Sequence, residues 1–300
     1  MRLGLGTAQF GLDYGISNAH GKVSRAEVCR ILARAESAGI DMLDTATLYG
    51  DSEAAIGAAL DPARPFRIVT KTPVFGGGRI SSADVISLRR AFEKSLLLLR
   101  RDRIYGLLVH APADLLKPRG ESLWSEMAAL KEAGLVEKIG FSAYTGTELD
   151  ALLARFRPDL VQVPLNPLDQ RLLQDGRLSG LKQIGVEVHA RSLFLQGLLL
   201  MDLDHLPADL RSSTELATYA NFLERHNLNR LQGALKFIRG VDQVDVALIG
   251  TTSKEQLEEC IGSFARADSV GLDFSQVAGR DDVLLNPSKW PRHWQREGNA

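Results

Sequence analysis

The sequence predicts a single-domain α/β protein with the (β/α)8 barrel architecture. Short runs rich in Val, Ile and Leu alternate with longer amphipathic segments about eight times along the chain. Such runs are typical of buried parallel strands, and their alternation with helices is typical of a barrel. The predicted strands are Leu3–Thr7, Met42–Thr45, Arg67–Lys71, Tyr105–His110, Lys138–Ala143, Leu160–Leu165, Glu187–Ser192 and Val244–Gly250.

The segments between the strands have the apolar spacing of amphipathic helices, at positions i, i+3, i+4 and i+7. Helix ends are also marked, since Ser24 with Glu27 and Ser253 with Gln256 have the spacing of a capping box. Glycines stand just past three predicted helix ends, at Gly39, Gly134 and Gly240. The clearest helical patterns are Val28–Ala35, Leu149–Phe156, Leu231–Ile238 and Leu257–Phe264.

A doubly wound dinucleotide-binding sheet is the rival architecture. It requires G-x-G-x-x-G between a strand and a helix, and Gly4, Gly6 and Gly11 lack that spacing. Gly76–Gly78 lacks the lysine and hydroxyl of a phosphate-binding loop, so a flexible loop is the better interpretation. We therefore predict one barrel domain over residues 1–267.

Residues 268–300 have little periodicity, and we expect them to form an extension packed on the barrel. Trp290 and Trp294 in this extension either form an apolar wall over a pocket or pack on the barrel exterior. We favour the exterior.

The composition excludes several partners. The 300 residues carry 36 basic and 37 acidic side chains, a net charge of -1 that offers no attraction to nucleic acid or an anionic membrane. Cys29 and Cys260 do not make a disulfide framework and suit a reducing compartment. No secretory signal or membrane-spanning stretch is evident, so we expect a cytoplasmic protein that acts on a small molecule. The oligomeric state cannot be inferred.

Four titratable residues follow consecutive predicted strands. Asp44, Lys71 and His110 each end an apolar run, and Tyr49 lies in the loop after Asp44. The active site of a (β/α)8 barrel lies at the carboxyl ends of its strands, so these side chains should meet. A single lysine or histidine at such a position is usually structural, but four together are a strong indication of catalysis.

These residues suit proton donation to a carbonyl oxygen. Tyrosine has an ordinary pKa near 10, and a nearby ammonium such as that of Lys71 would lower this pKa. Asp44 would hold Lys71 in its charged form, and His110 would orient the substrate oxygen. Tyr49 would then give its proton to an oxygen that becomes negative when the carbonyl accepts hydride.

These residues also resemble a known family. The segment Asp44–Glu53 reads DTATLYGDSE, which is similar to the aldo-keto reductase signature DTA-x-x-YG-x-SE. Gly6–Thr7, Lys71 and Leu107–His110 follow the order of that family. The resemblance extends from Leu3 to about Ala267. It implies a (β/α)8 barrel and a carbonyl reductase with Asp44, Tyr49, Lys71 and His110 as catalytic residues.

The resemblance also implies a cofactor, NADPH or less often NADH, bound without a Rossmann domain. Ser142 and Gln162 would bind the nicotinamide carboxamide, and Arg191–Leu198 would wrap the nicotinamide and pyrophosphate. Ile249–Cys260 would hold the adenosine phosphate near the start of a helix. The cofactor-binding residues implied are Gly6, Thr7, Asp44, Ser142, Gln162, Arg191, Ser192, Leu193, Gln196, Gly197, Leu198, Gly250, Thr251, Thr252, Ser253, Gln256 and Glu259.

Several positions depart from the family pattern. Ala143 replaces an asparagine, and Arg191 replaces the aromatic ring that stacks on the nicotinamide. The Arg191 guanidinium could stack in its place, reach an anion, or form only a local salt bridge. Gly250 and Gln256 replace cations for the 2′-phosphate, and Cys260 replaces an asparagine that contacts adenine.

These changes weaken the preference for NADPH over NADH, although Lys254 could compensate. We favour NADPH.

Two other functions remain open. One is a barrel lyase or aldolase with Lys71 as a Schiff-base nucleophile, which would leave Tyr49 without a purpose. The other is a cofactor-sensing subunit that keeps the fold without catalysis. The loop Phe10–Val23 either lines the substrate pocket or only covers its mouth. The histidines outside the tetrad lack metal-ligand spacing, so we predict no metal site; they are His20, His189, His205, His226 and His293.

Overall fold

The computed structural model describes residues 1–61, 64, 66–268, 271–291 and 294. Across these residues eight parallel strands close into a barrel in the order β1 to β8, which confirms the predicted fold. Each strand begins and ends within two residues of its predicted bounds. The strands are β1 Arg2–Gly6, β2 Met42–Asp44, β3 Arg67–Lys71, β4 Ile104–Val109, β5 Val136–Ser142, β6 Leu160–Pro164, β7 Glu187–Arg191 and β8 Val246–Gly250.

Helices follow the strands and cover the outside of the barrel. They are α1 Ala8–Gly11, α2 Arg25–Ser37, α3 Ser52–Ala59, α4 Ser82–Leu99, α5 Ala113–Leu116, α6 Glu121–Glu132, α7 Gly146–Leu153, α8 Arg171–Gln174, α9 Arg177–Gln183, α10 Thr214–Arg225, α11 Arg230–Arg239, α12 Lys254–Ala265 and α13 Asp282–Leu285. Short 3-10 helices lie at Leu195–Leu200, Leu203–His205, Ala208–Leu210, Phe274–Val277 and Pro287–Lys289.

A buried apolar cluster fills the barrel interior. Its members are alternate residues of five strands, together with Tyr105 of β4. Gly4 and Gly106 make room for it, since a Cβ on Gly4 would lie 2.9 Å from Leu248 and one on Gly106 would lie 3.1 Å from Val69. Because side chains alternate along a strand, the residues two positions beyond this cluster also face the barrel axis. The cluster is Met42, Val69, Tyr105, Leu108, Leu160, Val246 and Leu248.

The predicted helix ends are present, but the capping boxes form only in part. The Ser24 hydroxyl accepts a hydrogen bond from the backbone N–H of Glu27. The Glu27 carboxylate does not return to Ser24 and instead accepts from the N–H of Lys254, at 2.6 Å. This contact joins α2 to the start of α12. Gly39 and Gly134 have the left-handed φ expected after a helix, 75° and 73°, whereas Gly240 ends α11 with a φ of -82°.

The described part of the C-terminal segment packs on the barrel through Phe274, Leu284, Leu285 and Trp290, all buried. The Trp290 indole donates to the carbonyl of Leu284, at 3.0 Å. His293 and residues 295–300, on which the sequence analysis also made predictions, lie outside the described residues.

Two further properties concern only the residues that the structure describes. None of their helices is long and apolar enough to cross a membrane. No three of their His, Cys, Asp or Glu side chains are grouped so that they could hold a metal ion.

Helix α3 packs against the end of α4 at Gly57, and this contact gives a stability prediction. A Cβ at Gly57 would lie 1.9 Å from the carbonyl oxygen of Leu98, so Gly57→Ala must displace backbone. We expect a loss of about 1–3 kcal/mol or more in the free energy of unfolding, measured by urea denaturation.

Gly180→Ala is the matched control, because Gly180 lies in α9 and a Cβ there meets no atom within 4 Å. It should stabilise the protein by roughly 0.5–1 kcal/mol, as alanine does in a helix. Equal effects of the two substitutions would contradict this account of the packing.

Candidate active site

A cavity of about 1270 Å³ opens at the carboxyl ends of the strands. Met42, Val69 and Leu108 belong to the interior cluster. Asp44, Lys71 and His110 follow them by two residues each, so the alternation of side chains along a strand turns them to the same side. They therefore face the axis directly above this cluster. Tyr49 follows β2 in a short turn, and all four predicted catalytic residues line the cavity.

Lys71 and Asp44 form a buried ion pair at the base of this cavity. Their side chains are 1% and 6% exposed. The Lys71 ammonium donates to Asp44 Oδ1 at 2.9 Å, to Asp44 Oδ2 at 2.7 Å and to the Thr45 carbonyl at 2.9 Å. Burial lowers the pKa of Lys71, and the Asp44 carboxylate opposes that shift. Asp44 thus holds the ammonium in one position.

The Tyr49 hydroxyl lies next to this pair, 3.4 Å from the Lys71 ammonium nitrogen. Burial, and secondly the charge of Asp44, raise the pKa of Tyr49 above its ordinary value, while the charge of Arg191 opposes the shift. The lowering that a nearby ammonium was predicted to cause is therefore not found, since the pKa of Tyr49 is raised, mainly by burial. The phenol stays protonated at neutral pH and carries the proton that a donor needs.

His110 contacts the Tyr49 ring edge-on, with ring centroids 5.8 Å apart. Burial, with the charges of Lys71 and Arg191, lowers the pKa of His110 from 6.5 to about 3. Its imidazole is therefore neutral at neutral pH. Its Nδ1 is buried without a hydrogen-bond partner. A neutral imidazole with an unused ring nitrogen can hydrogen-bond a substrate oxygen.

A chain of hydrogen bonds extends from the ion pair across the base of the cavity. The Gln162 amide donates to Asp44 Oδ1 at 2.7 Å, and the Ser142 hydroxyl donates to Gln162 Oε1 at 3.3 Å. Arg191 Nε donates to Ser142 Oγ at 3.2 Å. These contacts fix the two polar residues that were predicted to bind the carboxamide.

Arg191 stacks on the ring of Tyr144, with the guanidinium carbon 4.0 Å from the ring centroid. Its Nη1 donates to Ser192 Oγ at 3.1 Å, and its Nη2 is buried without a partner. Among the described residues, no carboxylate lies within 4 Å of its nitrogens, so the local salt bridge considered from the sequence is not formed.

Most of the residues predicted to bind a cofactor line the same cavity. Two do not. Leu198 is buried in the core, and Ser253 caps α12 by accepting from the N–H of Gln256. The lining set is Gly6, Thr7, Asp44, Ser142, Gln162, Arg191, Ser192, Leu193, Gln196, Gly197, Gly250, Thr251, Thr252, Gln256 and Glu259.

The cavity suits a long polar ligand. Thr251 Oγ1, just after β8, is buried on the cavity wall and has no hydrogen-bond partner among the described residues. The loop after β7 turns sharply through left-handed residues, with φ of 58° at Ser192, 54° at Gln196 and 92° at Gly197. A Cβ on Gly197 would lie 1.8 Å from Ser17 Oγ, so only glycine permits this close approach.

The loop after β1 lines the cavity, which resolves the alternative left open by the sequence. Tyr14, Ser17 and His20 are on the cavity wall. The N–H of Ile16 donates to the carbonyl of Gln196, at 3.0 Å, and so joins this loop to the loop after β7.

Several lining residues were not predicted as part of the site. Tyr144, Asn229 and Arg230 lie on the wall. Tyr144 lies two residues after the end of β5 and could have been found from that position, whereas the start of α11 gave no signal. Trp290 lies on the cavity wall and also in the larger buried apolar cluster of the protein, so it has features of both arrangements considered from the sequence.

The family model described as "Aldo/keto reductase family" matches residues 2–276. The chain belongs to this family. It is 34% identical over 154 residues to an aldo-keto reductase of Mycolicibacterium vanbaalenii, a match that covers 49% of this chain and 52% of that protein. The chain thus spans about half the length of the first curated relatives it matches.

Two solved structures share the fold over nearly the whole chain. The holo form of an aldo-keto reductase from Bacillus halodurans is 19% identical, with a TM-score of 0.73 and coverage of 98% of this chain and 95% of that one. An aldo-keto reductase of Bombyx mori in complex with NADP is 22% identical, with a TM-score of 0.61 and coverage of 92% and 86%.

The pKa of His110 predicts how stability varies with pH. Its native pKa is about 3 and its ordinary value 6.5, so the unfolded chain binds the proton first as pH falls. The stability due to neutral His110 is complete above pH 6.5 and is lost progressively towards pH 3. At pH 5 the loss is roughly 2 kcal/mol.

His110→Gln should therefore reduce the stability difference between pH 7.5 and pH 5, as measured by urea denaturation at each pH. His205→Gln, at an exposed position, is the control for losing a histidine. An unchanged pH dependence in His110→Gln would show that His110 is not held neutral by its surroundings.

Proposed function

We propose that this protein is an oxidoreductase that reduces an aldehyde or ketone to an alcohol, reversibly, with hydride from a nicotinamide cofactor and a proton from Tyr49. The observation that carries the proposal is the Tyr49 hydroxyl beside the buried pair of Lys71 and Asp44. The phenol faces a cavity large enough for a dinucleotide and a small substrate.

Tyr49 acts as the general acid. Its raised pKa keeps the phenol protonated until the substrate oxygen gains negative charge. The Lys71 ammonium, 3.4 Å away, then stabilises the phenolate that remains. His110 is neutral and orients the substrate oxygen through a ring nitrogen.

A bound dihydronicotinamide would supply the hydride. Ser142 and Gln162 would hold its carboxamide, and the loop Ser192–Gly197 would follow the pyrophosphate. Thr251, Thr252 and Gln256 would lie at the adenosine end. The fit rests on the unpartnered Thr251 hydroxyl and on the glycine-dependent turn of that loop.

We favour NADPH over NADH, and the NADP complex of the Bombyx mori protein supports this choice. Two cations could contribute to binding the 2′-phosphate. Arg230 lines the cavity at the start of α11. Lys254 begins α12 and pairs only at 3.5 Å with Glu258.

The proposal includes a cytoplasmic location and a barrel domain of residues 1–267 with residues 268–300 as an extension. The free thiols Cys29 and Cys260 suit a reducing compartment.

The lyase hypothesis is less well supported, because the Lys71 ammonium already donates to Asp44 Oδ1, Asp44 Oδ2 and Thr45 O. These acceptors, together with the Tyr49 hydroxyl at 3.4 Å, surround the nitrogen and favour the ammonium over the neutral amine that a Schiff base needs. Borohydride trapping of a carbonyl compound on Lys71 would support that alternative. A cofactor-sensing subunit would bind cofactor but show no turnover.

Substitution of the proton donor tests the proposal. Tyr49→Phe keeps the ring but removes the acid, so carbonyl reduction should fall by about 10²–10⁴-fold. Cofactor affinity, measured by fluorescence titration with NADPH and NADH, should change little. Reduction is measured as cofactor oxidation with a panel of aldehydes.

Tyr105→Phe is the matched control, because that phenol bonds Glu187 near the opposite end of the barrel. It should keep full activity. Retained activity in Tyr49→Phe would remove Tyr49 from its role, and failure of the unmodified protein to bind either cofactor would refute the proposal.

A further inference from the structure

The part of the cavity around Asp44, Lys71 and Arg191 carries two positive charges and one negative charge. Asp44 is paired with Lys71, and His110 is neutral because its pKa is lowered to about 3. The remaining cation is the Arg191 guanidinium. No carboxylate of the described residues lies within 4 Å of it, and its Nη2 has no partner.

This charge is held in place. The guanidinium stacks on Tyr144 at 4.0 Å, and its Nε and Nη1 donate to the hydroxyls of Ser142 and Ser192. Because one face and two of its nitrogens are engaged, the side chain cannot swing towards solvent without breaking these contacts.

The charge also lies within electrostatic range of the reacting groups. Arg191 is linked to Asp44 by the hydrogen bonds of Ser142 and Gln162. Its charge lowers the pKa of Tyr49, Lys71 and His110 alike. A second charge created beside the reacting groups would therefore interact strongly with the Arg191 guanidinium, because charge interactions are weakly screened inside a protein.

We infer that Arg191 makes this site bind the reduced nicotinamide more tightly than the oxidised form. The inference rests on the proposed function. The reduced ring is uncharged and the oxidised ring is a cation, whereas the phosphates of the two forms are the same. A fixed cation therefore penalises the oxidised ring alone.

The charge balance of the reaction gives this preference a role. A bound dihydronicotinamide would supply hydride, a proton with two electrons, to the carbonyl carbon, and its ring would be left with a positive charge. The Tyr49 proton moves to the carbonyl oxygen, so a phenolate is left that offsets the new charge. Once Tyr49 regains a proton from solvent, the ring cation faces Arg191 without compensation, and release of the oxidised cofactor is favoured.

The test is the ratio of two dissociation constants, for NADP⁺ and for NADPH, measured by calorimetry at pH 7 without substrate. In the unmodified protein NADP⁺ should bind about tenfold more weakly than NADPH, a difference of ~1.4 kcal/mol. Arg191→Met should lower this ratio about tenfold, and Arg191→Lys, which keeps the charge, should preserve most of it.

Arg230→Gln is the matched control, since Arg230 lines the same cavity but lies at the start of α11. It should weaken both forms equally and leave the ratio unchanged. The inference is overturned if NADP⁺ binds the unmodified protein as tightly as NADPH, or if Arg191→Met retains the original ratio. Should Arg191→Met fail to fold, Arg191→Gln takes its place, because it also removes the charge and should lower the ratio by the same factor. Failure of the unmodified protein to bind either form would instead refute the proposed function, and the inference with it.

Discussion

The buried ion pair of Lys71 and Asp44 is the interaction on which the candidate active site depends. Removing two charges from water costs several kcal/mol for each ion, and only close geometry with further hydrogen bonds offsets that cost. Here the ammonium donates to both Asp44 oxygens, to the Thr45 carbonyl and, at 3.4 Å, to the Tyr49 hydroxyl, and the carboxylate also accepts from Gln162. Loss of either partner would leave a buried charge uncompensated, so the pair constrains every group around it.

The barrel provides the surroundings that this pair needs. The interior apolar cluster lies below it and keeps water away from that side, with Gly4 and Gly106 allowing the cluster to close. Neighbouring parallel strands in register bring residues that are distant in sequence to one level. Gly6 pairs with Asp44, and Ser142 pairs with Gln162. The ring of strand ends is thus a single polar layer above an apolar one.

Much of this arrangement could be predicted because it depends on local patterns. The apolar runs, with helical periodicity between them, indicate where the strands lie. Asp44, Lys71 and His110 could be identified because each of them ends one of these runs. What depends on non-local contact could not be predicted. The Glu27 carboxylate bonds Lys254, 227 residues away, although its spacing from Ser24 indicates a local cap. Trp290 lies on the cavity wall because of the path of the C-terminal segment, and the sequence of that segment has no periodicity from which its path could be predicted.

The electrostatics of the site also required the structure. The sequence indicates that an ammonium lies near the phenol of Tyr49, but it does not give the degree of burial. Burial has the largest effect on the pKa of Tyr49, and because it raises that pKa, the phenol stays protonated. For Arg191, the sequence left stacking, anion binding and a salt bridge open. The structure shows the guanidinium stacked on Tyr144, with no carboxylate of the described residues within 4 Å of it.

The central proposal is that a nicotinamide bound at this end of the barrel would give hydride to a carbonyl carbon. The most direct measurement follows deuterium from NADPH that carries deuterium at both C4 positions of the nicotinamide into an aldehyde during a single turnover, detected by mass spectrometry. The account predicts an alcohol that carries the deuterium on its carbinol carbon. An alcohol without deuterium, or substrate trapped covalently on Lys71 by borohydride, would contradict it.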